Sequence, residues 1–135
     1  MLTLHNTDKF IAAAPFSASG LWDDEDILSM SDEAYNRRYA KLYGTPRLND
    51  YYRNNSPLDL VKTMDEEKLN SVFWYIDSGD EDRLTSGNAK LHSIFLARDI
   101  NHEFRVRDGG HQWDYWKVNL DKALIFIGKA FLYDD

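Results

Sequence analysis

The fold is decided by residues 72–111, VFWYIDSGDEDRLTSGNAKLHSIFLARDINHEFRVRDGGH, which contain two strand patterns separated by one helical pattern. The first strand pattern, residues 72–76, is apolar without alternation, which is typical of a strand buried on both faces of a parallel sheet. The second, residues 102–107, alternates apolar and charged residues and indicates a strand with one solvent-exposed face. The helical pattern begins at Thr85 or Ser86 as the cap and runs to about residue 98.

The flanking segments extend this strand–helix–strand unit in both directions. Residues 10–16, FIAAAPF, predict a third strand that is also buried on both faces. Residues 31–64 contain several short helical patterns, one beginning at Ser31 and stopping near Gly44, another beginning at Ser56. The C-terminal segment predicts an amphipathic helix whose apolar side consists of Trp113, Trp116, Leu120, Leu124, Ile127 and Phe131. Together these elements predict an α/β fold with about three parallel strands between layers of helices.

The composition excludes several classes of protein and site. The 135 residues carry 16 Lys and Arg against 23 Asp and Glu, a formal net charge of −7, whereas binding of nucleic acid or anionic lipid needs a basic face. The absence of cysteine excludes disulfides, thiolate zinc sites and a cysteine nucleophile. No apolar run reaches the ~18–20 residues of a membrane-spanning helix. We therefore expect one domain, or part of one, with no nucleic-acid or membrane partner.

Two polar loops follow the last two predicted strands. Residues 77–82, DSGDED, follow one strand and residues 108–113, DGGHQW, follow the next. Because parallel strands joined by one helix bring their carboxyl ends to the same sheet edge, we expect these loops to lie together. A carboxylate beside a histidine orients the imidazole and stabilises its cation, so that the ring can act as base and then as acid. The glycines before His111 allow the sharp turn that would present its ring.

Three stretches carry a resemblance to a known family: residues 10–19, FIAAAPFSAS, residues 79–84, GDEDRL, and residues 102–116, HEFRVRDGGHQWDYW. The chain resembles the Putative esterase family of α/β-hydrolases, which includes S-formylglutathione hydrolases, feruloyl and acetyl-xylan esterases and tributyrin esterases. The resemblance covers essentially the whole chain and implies the C-terminal portion of a three-layer α/β-hydrolase sheet. It also implies that Asp82 is the acid and His111 the histidine of a catalytic triad.

The nucleophile of that family is a serine in a Gly-x-Ser-x-Gly turn, a motif that does not occur in these 135 residues. Ser17 has Pro15 two residues before it and Ser19 has Leu21 two residues after it, where small residues are needed. The resemblance therefore implies that the nucleophile lies upstream of this chain, whose residues 1–5 would be the end of the nucleophile helix. We expect the chain alone to be inactive, and to associate with itself or with the upstream half through an open sheet edge.

Several aromatic and acidic residues have more than one interpretation. Trp113, close to the glycine-flanked histidine, and Trp22, after the first strand, are candidate substrate-binding residues that also fit packing or surface positions. Residues 20–64 occupy the place where such hydrolases insert a cap, and their tyrosines either shape a pocket or pack as a helical stripe. The acidic residues 80–82 fit a solvated turn, because the spacing of an EF-hand fails. The acidic run 23–26 fits an exposed loop or a helix N-terminus better than a metal site.

The resemblance thus implies the acid–histidine part of a serine carboxylic-ester hydrolase acting on an acetyl, feruloyl or similar ester, either a small molecule or linked to carbohydrate. It predicts no metal and no organic cofactor, and it leaves the compartment open. The alternative is a non-catalytic α/β binding domain or a hydrolase remnant without activity. A receiver-like domain would need an acid pair after its first strand and a flavodoxin-like domain a phosphate-binding loop, where residues 16–19, FSAS, stand instead.

Overall fold

The structure is a computed structural model that describes residues 1–132. One sheet of three parallel strands, in the order β1-β2-β3, is formed by β1 (Ala12–Ala13), β2 (Phe73–Gly79) and β3 (His102–Arg107). A 3₁₀ turn covers Thr7–Lys9, and none of the described helices has the length and apolarity to cross a bilayer. The helices are α1 (Leu2–His5), α2 (Asp24–Ser29), α3 (Asp32–Arg38), α4 (Ala40–Tyr43), α5 (Asp50–Asn55), α6 (Pro57–Thr63), α7 (Glu66–Asn70), α8 (Thr85–Ala97) and α9 (Trp113–Ala130).

The central strand β2 is covered by a helix on each face, because its side chains alternate between the two sides of the sheet. On one side the Trp74 ring lies 5.4 Å, centroid to centroid, from Phe95 of α8. On the other side the Tyr75 ring lies 5.2 Å from Phe126 of α9. Residues 74–79 of β2 are all buried, which confirms the predicted burial for residues 74–76, whereas Phe73 at the start of the strand is exposed. These layers confirm the predicted three-layer α/β arrangement with parallel strands.

The first strand is shorter and less buried than the sequence predicts. Only Ala12–Ala13 form a ladder with β2, followed by a single bridge between Phe16 and Asp77, and the segment is half-buried. The reason is Pro15, which has no amide hydrogen to donate and so interrupts the ladder; its carbonyl accepts the Asp77 amide at 3.1 Å. Among the described residues, no strand pairs with the outer edge of β1.

Helix α9 buries a different face from the one that its sequence pattern predicts. The buried positions are Tyr115, Asn119, Ala123 and Ala130, which are mostly small or hydrogen-bonding. Small side chains let the helix approach the sheet closely, which large apolar ones would prevent. The prediction of the buried face was therefore wrong, since exposed positions include Trp113, Leu120, Leu124 and Phe131. We call the groove formed by Phe16, Trp113, Trp116, Lys117 and Leu120 the open apolar groove.

Residues 20–64 form a helical layer with a small core of their own. That core consists of Ile27, Tyr35 and Tyr52, all at most 1% exposed. The Arg47 guanidinium donates to the carbonyls of Ile27 and Met30, at 3.0 and 2.6 Å, and so fixes the end of α2. Ser31 and Ser56 cap α3 and α6, which confirms the two predicted helix starts. The cap role of this layer stays a prediction.

A pair of histidines joins α8 to β3 at the amino end of that strand. His102 Nδ1 lies 2.7 Å from the Ile100 carbonyl oxygen, which can only accept, so Nδ1 carries a hydrogen. In the neutral ring Nε2 then accepts, and it lies 2.7 Å from His92 Nδ1, which must donate. His92 also stacks on Phe104 of β3, with the ring centroids 4.7 Å apart. Burial, and then the nearby charge of His102, lower the pKa of His92.

We expect this pair to weaken the fold as the solution becomes mildly acidic. Since the unfolded chain binds a proton at His92 more readily than the folded one, the free energy of unfolding should fall from about pH 7 to about pH 5. His92→Phe keeps the ring packing and removes the titration, so it should flatten this part of the profile. Melting temperatures measured across that range test the expectation, with His5→Phe, at an exposed histidine of α1, as the control. An unchanged slope in His92→Phe would contradict it.

Candidate active site

The two loops at the carboxyl ends of β2 and β3 are tied together by their backbones. The Asp80 amide donates to the Arg107 carbonyl at 2.8 Å, and the Glu81 amide donates to the Gly109 carbonyl at 3.0 Å. In return, the Gly109 amide donates to the Asp80 carboxylate at 3.0 Å. Asp80 therefore holds the histidine-bearing loop by contacts to the backbone of that loop. These bonds fix the position of the acidic loop, residues 80–84, against residues 108–111.

Asp82 and His111 meet where these loops meet. Asp82 Oδ2 lies 2.9 Å from His111 Nδ1, and Asp82 Oδ1 accepts the Leu84 amide at 2.9 Å. The Asp82 side chain is fully buried, whereas the side chain of His111 is 40% exposed. Because an ionised carboxylate only accepts, Nδ1 carries the hydrogen and Nε2 remains available for a proton from a reacting group. The structure thus brings these two predicted residues together; their catalytic roles stay predictions.

The charge on Asp82 is maintained despite its burial. Burial alone would raise the pKa of this carboxyl, but hydrogen bonding by Ser17, the Leu84 amide and His111 outweighs it and holds the pKa below its ordinary value. The carboxylate is therefore ionised at neutral pH, and an ionised carboxylate is what orients and stabilises an imidazolium.

Ser17 supports the acid, a role that sequence reasoning missed. This buried residue has a φ of 48°, a left-handed conformation that is uncommon outside glycine. Its hydroxyl oxygen accepts the indole N–H of Trp116 at 3.2 Å, which leaves the hydroxyl hydrogen for Asp82. Trp116 in turn packs edge-on against the His111 ring, 5.0 Å between centroids. The Ser17 hydroxyl is thus held by Trp116 and favours the ionised form of Asp82.

A cleft of about 500 Å³ opens beside His111. Trp22 lines it and packs edge-on against Tyr39, 6.0 Å between centroids. Trp113 is 70% exposed and lies in the open apolar groove instead, so the structure does not bring it to this cleft. The substrate-binding roles of the two tryptophans stay predictions. The complete lining is Ser17, Ser19, Trp22, Arg38, Tyr39, Arg83, Leu84 and His111.

A buried polar cluster lies on the α9 side of the sheet, beneath the loops. Asp77, fully buried, accepts hydrogen bonds from Tyr75 at 3.0 Å, from Tyr115 at 2.5 Å and from Arg107. Burial, and then Asp77, raise the pKa of Tyr115 above its ordinary range, so the phenol remains a donor. The cluster joins β2, β3 and α9 immediately before both loops begin. The sequence does contain a signal for this cluster. Side chains alternate between the faces of a strand, so two paired strands place Tyr75, Asp77 and Arg107 on one face.

The acidic run 23–26 is used by ion pairs. Asp23 forms a capping box with Asp26 at the start of α2, and both carboxylates contact Lys90 of α8, at 2.7 and 2.6 Å. Asp24 contacts Arg53 at 2.6 Å. This agrees with the interpretation of the run as a helix N-terminus. Within residues 1–132, no group of three or more His, Cys, Asp or Glu side chains is placed to hold a metal ion.

Comparison with known proteins identifies the family to which the chain belongs. The model of the Putative esterase family matches residues 1–127. The chain belongs to this esterase family. Among similar proteins is an acetyl esterase of Caldicellulosiruptor saccharolyticus, 25% identical over 93 residues that make up 68% of this chain and 34% of that protein. A solved ferulic acid esterase is 28% identical, with a TM-score of 0.71 over 96% of this chain and 45% of that one.

These esterases confirm both the family resemblance and the α/β-hydrolase type of fold. They also give the extent of the match, since the chain spans about a third of the acetyl esterase and less than half of the ferulic acid esterase. The motifs that carried the resemblance, including the one with His111, all lie inside the matched residues 1–127.

Proposed function

We propose that this chain supplies the acid and the histidine of a serine carboxylic-ester hydrolase. The observation that carries the proposal is the 2.9 Å contact between the buried Asp82 carboxylate and the half-exposed His111 imidazole, at the edge of a cleft in a member of an esterase family. This contact suits a triad in which the acid holds one imidazole tautomer and leaves Nε2 free to accept a proton.

In the proposed reaction, His111 Nε2 takes the proton of a serine hydroxyl as the serine oxygen attacks the ester carbonyl carbon. Asp82 stabilises the imidazolium through Nδ1–H without itself taking the proton. Nε2 then gives the proton to the departing alcohol oxygen, and the acyl group stays on the serine. A water molecule repeats the sequence in the second half, so that the carboxylic acid leaves and the serine is restored.

The nucleophile and the oxyanion-hole amide are proposed to come from a part of the esterase domain outside these 135 residues. Two observations support this division. The Ser17 hydroxyl accepts the Trp116 indole N–H and favours the ionised form of Asp82, so it already has a role in supporting the acid. The open apolar groove and the outer edge of β1 also expose surfaces that other strands and helices of such a domain would cover. When those strands and helices are missing, we expect the chain to associate with itself through the same surfaces.

The substrates are proposed to be small carboxylic esters. The similar proteins include an acetyl esterase and a ferulic acid esterase, whose names give one small and one aromatic acyl group. In this chain the pair Trp22 and Tyr39 presents an aromatic wall in the same cleft as His111, which suits a planar acyl or alcohol group.

The proposal is tested by joining the chain to the N-terminal portion of a related esterase domain and measuring hydrolysis of 4-nitrophenyl acetate. We expect turnover in the complete domain that His111→Ala abolishes, and none from the separate 135-residue chain. A folded complete domain that binds esters without hydrolysing them would favour the non-catalytic alternative.

A further inference from the structure

The charges around the cleft are opposite in sign to the charge of the chain. The protein carries a formal net charge of −7. The charged residues that line the cleft are nevertheless both basic, Arg38 from the end of α3 and Arg83 from the acidic loop. Among residues 1–132 no carboxylate belongs to the lining, because the side chain of Asp82 is buried behind the His111 ring.

The two guanidinium groups are available to a ligand. Both side chains are exposed, and within the described residues neither is placed in a salt bridge or a side-chain hydrogen bond. Arg47 and Arg53 of the helical layer differ, since Arg47 is bound to two carbonyls and Asp32, and Arg53 to Asp24 and Asp59. A guanidinium donates in a fork that matches the two oxygens of a carboxylate.

The aromatic wall restricts the shape of that ligand. Trp22 and Tyr39 lie in the same cleft as the two arginines, and Arg38 directly precedes Tyr39 in the chain. A ring packed on the indole would hold an attached anion in the same cleft as the two basic side chains and His111. The positive lining would also attract an anionic substrate towards a protein whose total charge repels it.

We propose that this cleft selects esters that carry a carboxylate, with Arg38 and Arg83 binding the carboxylate and Trp22 packing against the adjoining planar group. That the ligand is an ester rests on the proposed function. The binding of a carboxylate by the two arginines does not depend on a nucleophile. Arg38 and Arg83 are specificity-determining residues, and neither takes part in bond making.

The test uses the 135-residue chain and the matched pair benzoate and benzamide, which share a shape and differ in charge. Indole N–H resonances of ¹⁵N-labelled protein report binding at Trp22, assigned through Trp22→Phe. We expect benzoate to bind about tenfold more tightly than benzamide, and this preference to disappear in Arg38→Gln/Arg83→Gln. Raising the salt concentration should weaken benzoate alone.

Two controls separate charge from folding. Arg37→Gln removes a neighbouring cation of α3 that does not line the cleft and should leave the preference intact. Arg38→Lys/Arg83→Lys keeps both charges and should retain part of it. Equal binding of benzoate and benzamide, or a preference that survives Arg38→Gln/Arg83→Gln, would overturn the inference.

In the complete domain, the ratio of kcat/KM for 4-nitrophenyl hydrogen succinate to that for 4-nitrophenyl acetate should fall about tenfold in Arg38→Gln/Arg83→Gln. Hydrolysis without any anion preference would overturn this inference and leave the proposed function standing. Benzoate preference in a domain that hydrolyses neither ester would support the anion site and overturn the proposed function.

Discussion

Asp82→Asn in the complete esterase domain is expected to lower kcat by about 10⁴-fold, the scale seen when a triad acid is neutralised without moving it. The Asn amide can donate to His111 Nδ1, which would stabilise the wrong imidazole tautomer and remove the charge that stabilises the imidazolium. The measurement is turnover of 4-nitrophenyl acetate, with circular dichroism to show that the variant is folded.

Asp80→Asn is the matched control, two residues away in the same loop. Asp80 accepts the Gly109 amide, and an Asn side chain retains an oxygen that can accept the same bond. We expect this variant to lose only a small factor in turnover. Comparable losses in the two variants, or an active Asp82→Asn, would remove the proposed role of Asp82.

Gly79→Ala should destabilise the protein by about 4 kcal/mol or more, because it forces apart the loops that carry the site. A Cβ at residue 79 would lie 1.9 Å from the Gly109 carbonyl oxygen, a contact that only a backbone shift can relieve. That shift would break the bond from the Glu81 amide to the same carbonyl and move His111 away from Asp82. Urea unfolding of Gly79→Ala and of the parent chain measures the difference.

Gly110→Ala is the control in the opposite loop. The nearest atom to an added Cβ there is Glu81 Cβ, at an ordinary contact distance of 4.0 Å. Its unfolding midpoint should therefore stay close to that of the parent chain. A Gly79→Ala variant as stable as Gly110→Ala would mean that the loops are not held together as the structure describes.

Local patterns predicted the part of the fold that carries the site. Each of these elements is indicated by the hydrophobic pattern of its own residues. The patterns are the apolar run of β2, the alternation of β3 and the helical spacing of α8. The order strand, helix, strand then forces the following loops to one sheet edge, and the structure indeed places Asp82 beside His111. The predicted cap of α8 was wrong. The helix begins at Thr85, but the Thr85 hydroxyl donates to the Gly79 carbonyl and does not cap the helix.

The remaining features depend on residues far apart in the chain. The apolar spacing of α9 indicated a helix correctly, but not which face would meet the sheet, because Tyr115 and small residues take that place. Ser17, Asp82 and Trp116 come together from three segments, and no spacing within one segment indicates this. The same holds for Arg38 and Arg83, which are 45 residues apart in the sequence and line the same cleft.

Labelling with a serine-directed phosphonate tests most directly whether this chain supplies the acid and the histidine but not the nucleophile. The purified 135-residue chain should remain unlabelled at Ser17 and Ser19, since neither serine lies in a Gly-x-Ser-x-Gly turn and the Ser17 hydroxyl already accepts the Trp116 indole N–H. The complete domain should be labelled at one serine outside these residues, and His111→Ala should abolish the labelling. Stoichiometric labelling of Ser17 or Ser19 in the chain alone, abolished by His111→Ala, would contradict this division of the triad.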